Sequence, residues 1–295
     1  MKRYFLLLIC ILFLLVGCGI QQPAQVAATT LPVYEFTVRL CEGTGITVTR
    51  LVTENVSCLH DYSLNVRQVK AAEAAETTVI SGAGLEEFMD DLLQDKPAID
   101  ASEGIDLLEF STVHEHDHEH DHEHDHDHHH EEDPHIWLSP ANAKIMAENI
   151  CEGLCQQYPD HSDAFKVNLA SLLSDLEQLE AYGQEQLNNL SCRDLITFHD
   201  GFGYFAAAFG LQILEAVEEE SGSEASAQEL KHLITIVREQ NLPAIFVETN
   251  GSVSAAEVIS RETGAKVYAL DMAMGGDSYF EAMYHNIDTI KEALG

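Results

Sequence analysis

Residues 160–190 read DHSDAFKVNLASLLSDLEQLEAYGQEQLNNL, and this stretch decides how the rest of the chain is organised. Phe165, Leu169, Leu172, Leu173, Leu176 and Leu179 recur at threes and fours, the spacing of one buried helical stripe. No proline interrupts the run, and Gly183 is its single glycine. At 1.5 Å per residue such a helix would reach about 45 Å. That is long for an element inside one small domain and suits a strut between two. On both sides of it, short β-branched runs alternate with helical patterns. Upstream lie strands at 46–52 and 77–80, with helices at 65–76 and 85–93. The segment 29–36 reads as a strand end leading into a helix, and Ser139-Pro140 opens another helix with a good cap and a suitable first residue. Downstream lie strands at 195–198, 244–247 and 266–270, with helices at 203–209, 228–239, 255–263 and 280–294. Alternation of this kind predicts parallel sheets flanked by helices. The expected fold is therefore α/β, two Rossmann-like lobes joined by one rigid backbone helix. The boundaries read as 29–159 for the first lobe, 160–190 for the linking helix and 191–295 for the second lobe.

The start of the chain reads as a targeting segment. Lys2 and Arg3 precede an apolar run from Phe5 to Val16, too short for a comfortable membrane span. The run ends in Leu15-Val16-Gly17-Cys18, which looks like a bacterial lipobox with the lipid on Cys18. Residues 1–18 would be removed up to that cysteine, and 19–28 would form a flexible tether. The mature protein is then expected outside the cytoplasmic membrane, anchored to it as a lipoprotein. Five cysteines remain after Cys18: Cys41, Cys58, Cys151, Cys155 and Cys192. Cys151 and Cys155 are one helical turn apart, a poor geometry for bridging each other. Cys41 with Cys58 is the candidate disulfide.

Charge narrows the partners. The net charge is −35, and removing the seven acids of residues 114–130 still leaves −28. Such a surface repels nucleic acid and anionic lipid and attracts cations. Residues 114–130 themselves read HEHDHEHDHEHDHDHHH, ten His and seven acids. Nothing there can pack a core, so the segment is expected as a disordered loop. Imidazole is a ready ligand for transition metals, so His114, His116, His118, His120, His122, His124, His126, His128, His129 and His130 form an accessory metal-collecting loop. Six other histidines remain. His161, His232 and His285 fall within or beside amphipathic helices and read as surface residues. His60, His135 and His199 fall in loops past strand ends or at a helix start, where α/β sheets place ligands. Asp277, just past the last strand, is a fourth candidate. Three imidazoles and one carboxylate would fill a tetrahedral zinc site.

The same residues carry a family resemblance. Thr29 to Phe36, His60-Asp61-Tyr62, Gly82-Ala83-Gly84-Leu85-Glu86, Asp133-Pro134-His135-Ile136-Trp137-Leu138-Ser139-Pro140, Phe198-His199-Asp200-Gly201-Phe202-Gly203-Tyr204-Phe205, Ala244 to Glu248 and Gly276-Asp277-Ser278-Tyr279 occur in family order. The chain resembles the zinc-specific branch of the metal-binding solute receptors of bacterial ABC importers, cluster A-I. An acidic His-rich loop just before Asp-Pro-His is typical of that branch. The resemblance implies a metal in the cleft, held by His60 and His135 from the first lobe and His199 and Asp277 from the second. Manganese and iron relatives carry a carboxylate where His199 stands, and a third nitrogen ligand favours zinc. Zinc relatives fill the fourth position with a carboxylate or water. The chain departs from the pattern before His60, where Asn55-Val56-Ser57-Cys58-Leu59 replaces a Pro- and Gly-containing segment and brings Cys58 near the site.

These readings give a monomeric extracytoplasmic receptor that delivers Zn2+ to the permease of an ABC importer. A manganese or other divalent-metal receptor of the same fold is one alternative. A surface zinc buffer or adhesin, which the tract alone would support, is another. A zinc hydrolase is disfavoured: the expected shell is filled, whereas catalytic zinc keeps a position open for water, and the spacing His-Glu-x-x-His occurs only within the tract 114–130, not on a segment that reads as helix. Glu248, at a strand end, suits support of a metal-bound histidine better than the role of a general base.

Overall fold

The computed structural model of the chain describes residues 24–54, 56, 59, 62–94, 96–110, 132–217 and 225–295. The first lobe is built on β1 (Val26–Ala28), β2 (Val48–Arg50), β3 (Thr77–Ile80) and β4 (Ala98–Asp100), the second on β5 (Asp194–Thr197), β6 (Gln212–Ala216), β7 (Ala244–Glu248) and β8 (Lys266–Leu270). All pairings within both sheets are parallel, and the spatial orders are β2-β1-β3-β4 and β6-β5-β7-β8. The two lobes are thus wound alike. In each, the chain steps from the first strand to one side and then crosses to the other. The crevice at the carboxyl ends of the first and third strands is where such sheets bind ligands.

The helices follow from amphipathic stripes and their caps. In the first lobe α1 (Leu31–Leu40) and α2 (Val66–Ala74) flank the sheet. Asn65 caps α2 in a reciprocal box with Gln68, satisfying two otherwise orphaned backbone donors. The run expected as a helix over 85–93 divides into a 3₁₀ turn, Glu87–Met89, and the single-turn α3 (Asp90–Leu93). Helix α4 (Pro140–Gln157) begins as its sequence implies, with Ser139 accepting from the Asn142 N–H at 3.4 Å and Pro140 at the first position. Its stripe of Met146, Ile150 and Leu154 is fully buried. The second lobe carries α6 (Gly203–Phe209), α7 (Ala227–Gln240), α8 (Ser254–Thr263) and α9 (Tyr279–Leu294).

The long helical pattern is α5 (Ser162–Gln186), 25 residues and therefore about 38 Å long. Phe165, Leu172, Leu176 and Leu179 are fully buried, while Leu169 and Leu173 pack against the core from its margin. The helix touches α4 and α1 of the first lobe and α9 of the second. Asn168 donates to the carbonyls of Leu40 and Glu42 at 2.8 and 2.9 Å, and near the other end Tyr182 donates to Asp288 at 2.6 Å. One element thus holds both lobes.

The structure corrects several expectations. Val26–Ala28, read as the end of a tether, is β1, inside the first sheet with β2 and β3 on either side and no exposure. A three-residue strand covered on both edges and both faces needs no polar alternation, so Val-Ala-Ala looks like linker. Two further strands, β4 and β6, have no counterpart in the sequence reading. The strand expected at 46–52 is three residues long, Val48–Arg50. Cys41, paired with Cys58 in expectation, is a free buried thiol, pushed up to about 12 by that burial. Cys151, Cys155 and Cys192 are also free. Cys18, Cys58, His60 and the whole of 114–130 lie outside the described residues. Among the described residues no helix is long and apolar enough to cross a membrane.

Candidate metal centre

His135 is fixed by the residue two positions before it. The Asp133 carboxylate accepts from the His135 backbone N–H at 2.9 Å and lies 2.7 Å from Nδ1 of the same residue. Pro134 between them pre-sets the turn, and the 3₁₀ turn Ile136–Leu138 that follows is wholly buried. Asp133 is in turn held by its own N–H, which donates to the Leu108 carbonyl at 2.7 Å, beside a Glu109–Glu132 bridge. Leu108–Glu109 and Glu132–Asp133 are thereby pinned together next to His135. His199 comes from the other lobe, two residues beyond β5. Its Nδ1 lies 3.3 Å from Oε1 of Glu248, the last residue of β7. β5 and β7 are the first and third strands of that sheet, so His199 and Glu248 stand at its switch point.

The two rings meet across the seam. They are perpendicular, with centroids 5.0 Å apart, and Nε2 faces Nε2 at 3.3 Å. Both residues are 1% exposed. A carboxylate that accepts from Nδ1, as Asp133 does 2.7 Å from His135, favours the tautomer whose Nε2 carries the lone pair. Two lone pairs facing each other repel unless a cation joins them. Nitrogens bound tetrahedrally at about 2.0–2.1 Å sit about 3.3–3.4 Å apart, which is the spacing here. The donor set fits a nitrogen-loving divalent ion.

The surrounding residues make that approach possible. A Cβ on Gly201 would lie 2.7 Å from Met272, 2.8 Å from the His199 ring and 2.9 Å from the His135 ring. Trp137, fully buried, donates its indole N–H to the Met272 carbonyl at 2.7 Å and lies edge-on to His135. Tyr204 donates to the Asp133 carbonyl at 2.9 Å and accepts from the Leu108 N–H at 2.9 Å, tying α6 to the Asp133 loop. Asp133, Gly201, Trp137 and Tyr204 stand in the sequence as motif letters whose roles no local pattern gives. The signal was present in the spacing Asp-x-His and His-x-Gly, but which neighbour each letter serves depends on both lobes.

The four expected ligands divide. His135 and His199 are together. His60 lies outside the described residues, but its flanks are informative: Val56 lines a small cavity with Glu248, Thr249 and Met272, and Leu59 is buried. On the far flank Tyr62 donates to Glu54 at 2.8 Å and accepts from Gln68. Asp277 is exposed and lines a different cavity, with Arg50, Glu54 and Arg67. Among the described residues no group of three or more His, Cys, Asp or Glu is close enough to hold a metal. His232 and His285 are exposed and His161 half-buried, as expected for surface positions.

Two like-wound α/β lobes, one helix bracing both, and two imidazoles meeting at the seam define the two-lobed α/β class of this chain. The chain matches the family described as ZnuA, zinc-uptake complex component A, periplasmic, over residues 26–293, and it belongs to that family. It is 30% identical over 308 residues to the zinc-binding lipoprotein AdcA of Streptococcus pneumoniae (strain ATCC BAA-255 / R6), covering 99% of this chain and 61% of that protein. The chain thus spans about three fifths of that relative. It is 30% identical over 283 residues to the high-affinity zinc uptake system protein ZnuA of Bacillus subtilis (strain 168), covering 92% of this chain and 87% of that protein. A crystal structure of ZnuA superposes with a TM-score of 0.78 at 31% identity, covering 92% of this chain and 99% of the other.

Proposed function

We propose that this chain is an extracytoplasmic receptor, anchored through lipid on Cys18, that binds Zn2+ in the cleft and hands it to the permease of an ABC importer. The observation that carries the reading is the His135–His199 pair, with two Nε2 atoms 3.3 Å apart and a carboxylate behind each ring. His60 supplies the third nitrogen, from a loop whose neighbour Val56 borders the same strand ends as Glu248. Asp277 supplies the fourth ligand from the segment after β8. Three imidazoles favour zinc over manganese. A filled shell suits a carrier, not a hydrolase. The tract 114–130, made only of imidazoles and carboxylates, collects metal for that site.

Zinc titration calorimetry on the chain and its variants tests this. His60→Ala, His135→Ala and His199→Ala should each weaken the tight site by on the order of tenfold or more. Removing 114–130 should leave the tight site and abolish weaker ones. Tight binding unchanged in the histidine variants would overturn the reading. Loss of the tight site with the tract would favour a surface zinc buffer instead.

A further inference from the structure

Arg50 closes β2 at the edge of the first sheet, and its guanidinium reaches across to the second lobe. Nη1 donates to the Gly276 carbonyl at 2.8 Å, and the guanidinium carbon stands 5.9 Å from the centre of the Tyr34 ring. It borders a cavity of about 590 Å³ that Glu54, Arg67, Gly276 and Asp277 also line.

The segment after β8 is fastened unevenly. Its base is tied by buried groups: the Trp137 indole donates to the Met272 carbonyl at 2.7 Å, and the Leu31 N–H to the Met274 carbonyl at 3.2 Å. Its far end is tied by Glu35, which accepts from the Tyr279 N–H at 2.6 Å. Between these anchors the tip, Gly276-Asp277, is exposed, and Arg50 is the interlobe donor to it among the described residues. The tip also straddles two cavities. Gly275 borders the small one with Glu248 and Met272, on the histidine side. Gly276 and Asp277 border the large one with Arg50. Gly276 has φ +83°, with open space where a Cβ would be. Such a glycine adopts other backbone conformations at little cost. Rotation about 275–276 would carry Asp277 from one cavity toward the other, and the bond it must break is Arg50 to Gly276.

We propose that Arg50 is a latch: it holds the Gly276-Asp277 tip on the outer cavity, and zinc captures Asp277 only when that latch opens. Arg50 is then a positioning residue that lowers zinc affinity and speeds release. This rests on the reading of Asp277 as the fourth ligand.

The test is zinc affinity and dissociation rate for the full chain with Arg50→Met, Arg50→Lys, Asp277→Asn and the Arg50→Met/Asp277→Asn pair. Arg50→Met should bind zinc about three- to tenfold more tightly, the worth of one exposed hydrogen bond, with the change in the dissociation rate. Arg50→Lys, which keeps a donor, should lie near the parent. In the Asp277→Asn background the Arg50→Met effect should vanish. An Arg50→Met change that persists in that background, an unchanged or weakened affinity, or an Asp277→Asn variant that binds zinc like the parent would each overturn the latch. The last outcome leaves the three-histidine site standing, which His135→Ala probes separately. Should Arg50→Met not fold, Arg50→Lys against Arg50→Leu gives the same comparison.

Discussion

Gly201 shows how much a site of this kind depends on a missing side chain. Its backbone needs no unusual conformation. What it provides is space, since a methyl group there would stand within 3 Å of the rings of both His135 and His199 and of Met272. Met272 is flexible and can give way, but the two rings are held from behind by Asp133 and Glu248. Gly201→Ala should therefore fold and yet bind zinc on the order of tenfold more weakly, because the ring that moves loses its supporting carboxylate. Calorimetry alongside a melting curve checks it, and unchanged affinity in a folded variant would refute it. At this scale the histidines could be read from the sequence by their placement after strands and before a helix. The partners of each ring could not. Asp133 is two residues from His135, whereas Glu248 is 49 positions from His199, and only the pairing of β5 with β7 brings them together.

Among the elements, α5 was the most legible, because a stripe of six apolar residues over four turns leaves no other regular structure that buries them. The short strands were the least legible. β1, β4 and β6 gain their definition from neighbouring strands, not from alternation along their own few residues. Helix α5 also carries a conflict that sequence alone would resolve wrongly. Glycine within a helix costs about 1 kcal/mol against alanine, so Gly183→Ala looks stabilising. In the structure a Cβ there would lie 2.2 Å from the ring of Phe209, which is itself buried against Phe205. Forcing an atom into such a contact typically costs about 1–3 kcal/mol or more, and the overlap here is severe. Gly183→Ala should lower stability by about 1–2 kcal/mol net of its helix gain. A denaturant midpoint that rises would show that α6 yields freely and that the close approach of α5 to the second lobe is unimportant.

Across the whole molecule, the switch points of the two sheets are used differently. In the second lobe the crevice holds His199 and Glu248. In the first, the matching crevice holds Glu86, fully buried. It accepts from the Thr29 hydroxyl at 2.6 Å and from the Ser81 and Gly82 N–H groups at 2.8 and 3.0 Å, and so stitches β1 to β3. Burial outweighs these bonds and pushes its carboxyl up to about 7. Between about pH 4.5 and 7 the folded protein keeps a proton that the unfolded chain releases, so stability falls as pH rises through that window. The span corresponds to at most about 3 kcal/mol. Urea unfolding at pH 5.0 and 7.5 should show a larger loss in the parent than in Glu86→Gln, and equal losses would discount Glu86 as the cause. The sequence by itself determined the two-lobed α/β plan, the linking helix and the choice of histidine over carboxylate. Each depends on local periodicity or on the chemistry of a single side chain. The tertiary structure decided what lies far apart in the chain: that β1 is core and not tether, that His135 and His199 face at 3.3 Å, and that Asp277 stands on the outer side of its loop. Contacts between lobes are set by how two independently wound sheets lean on α5, and no spacing along the chain encodes that angle.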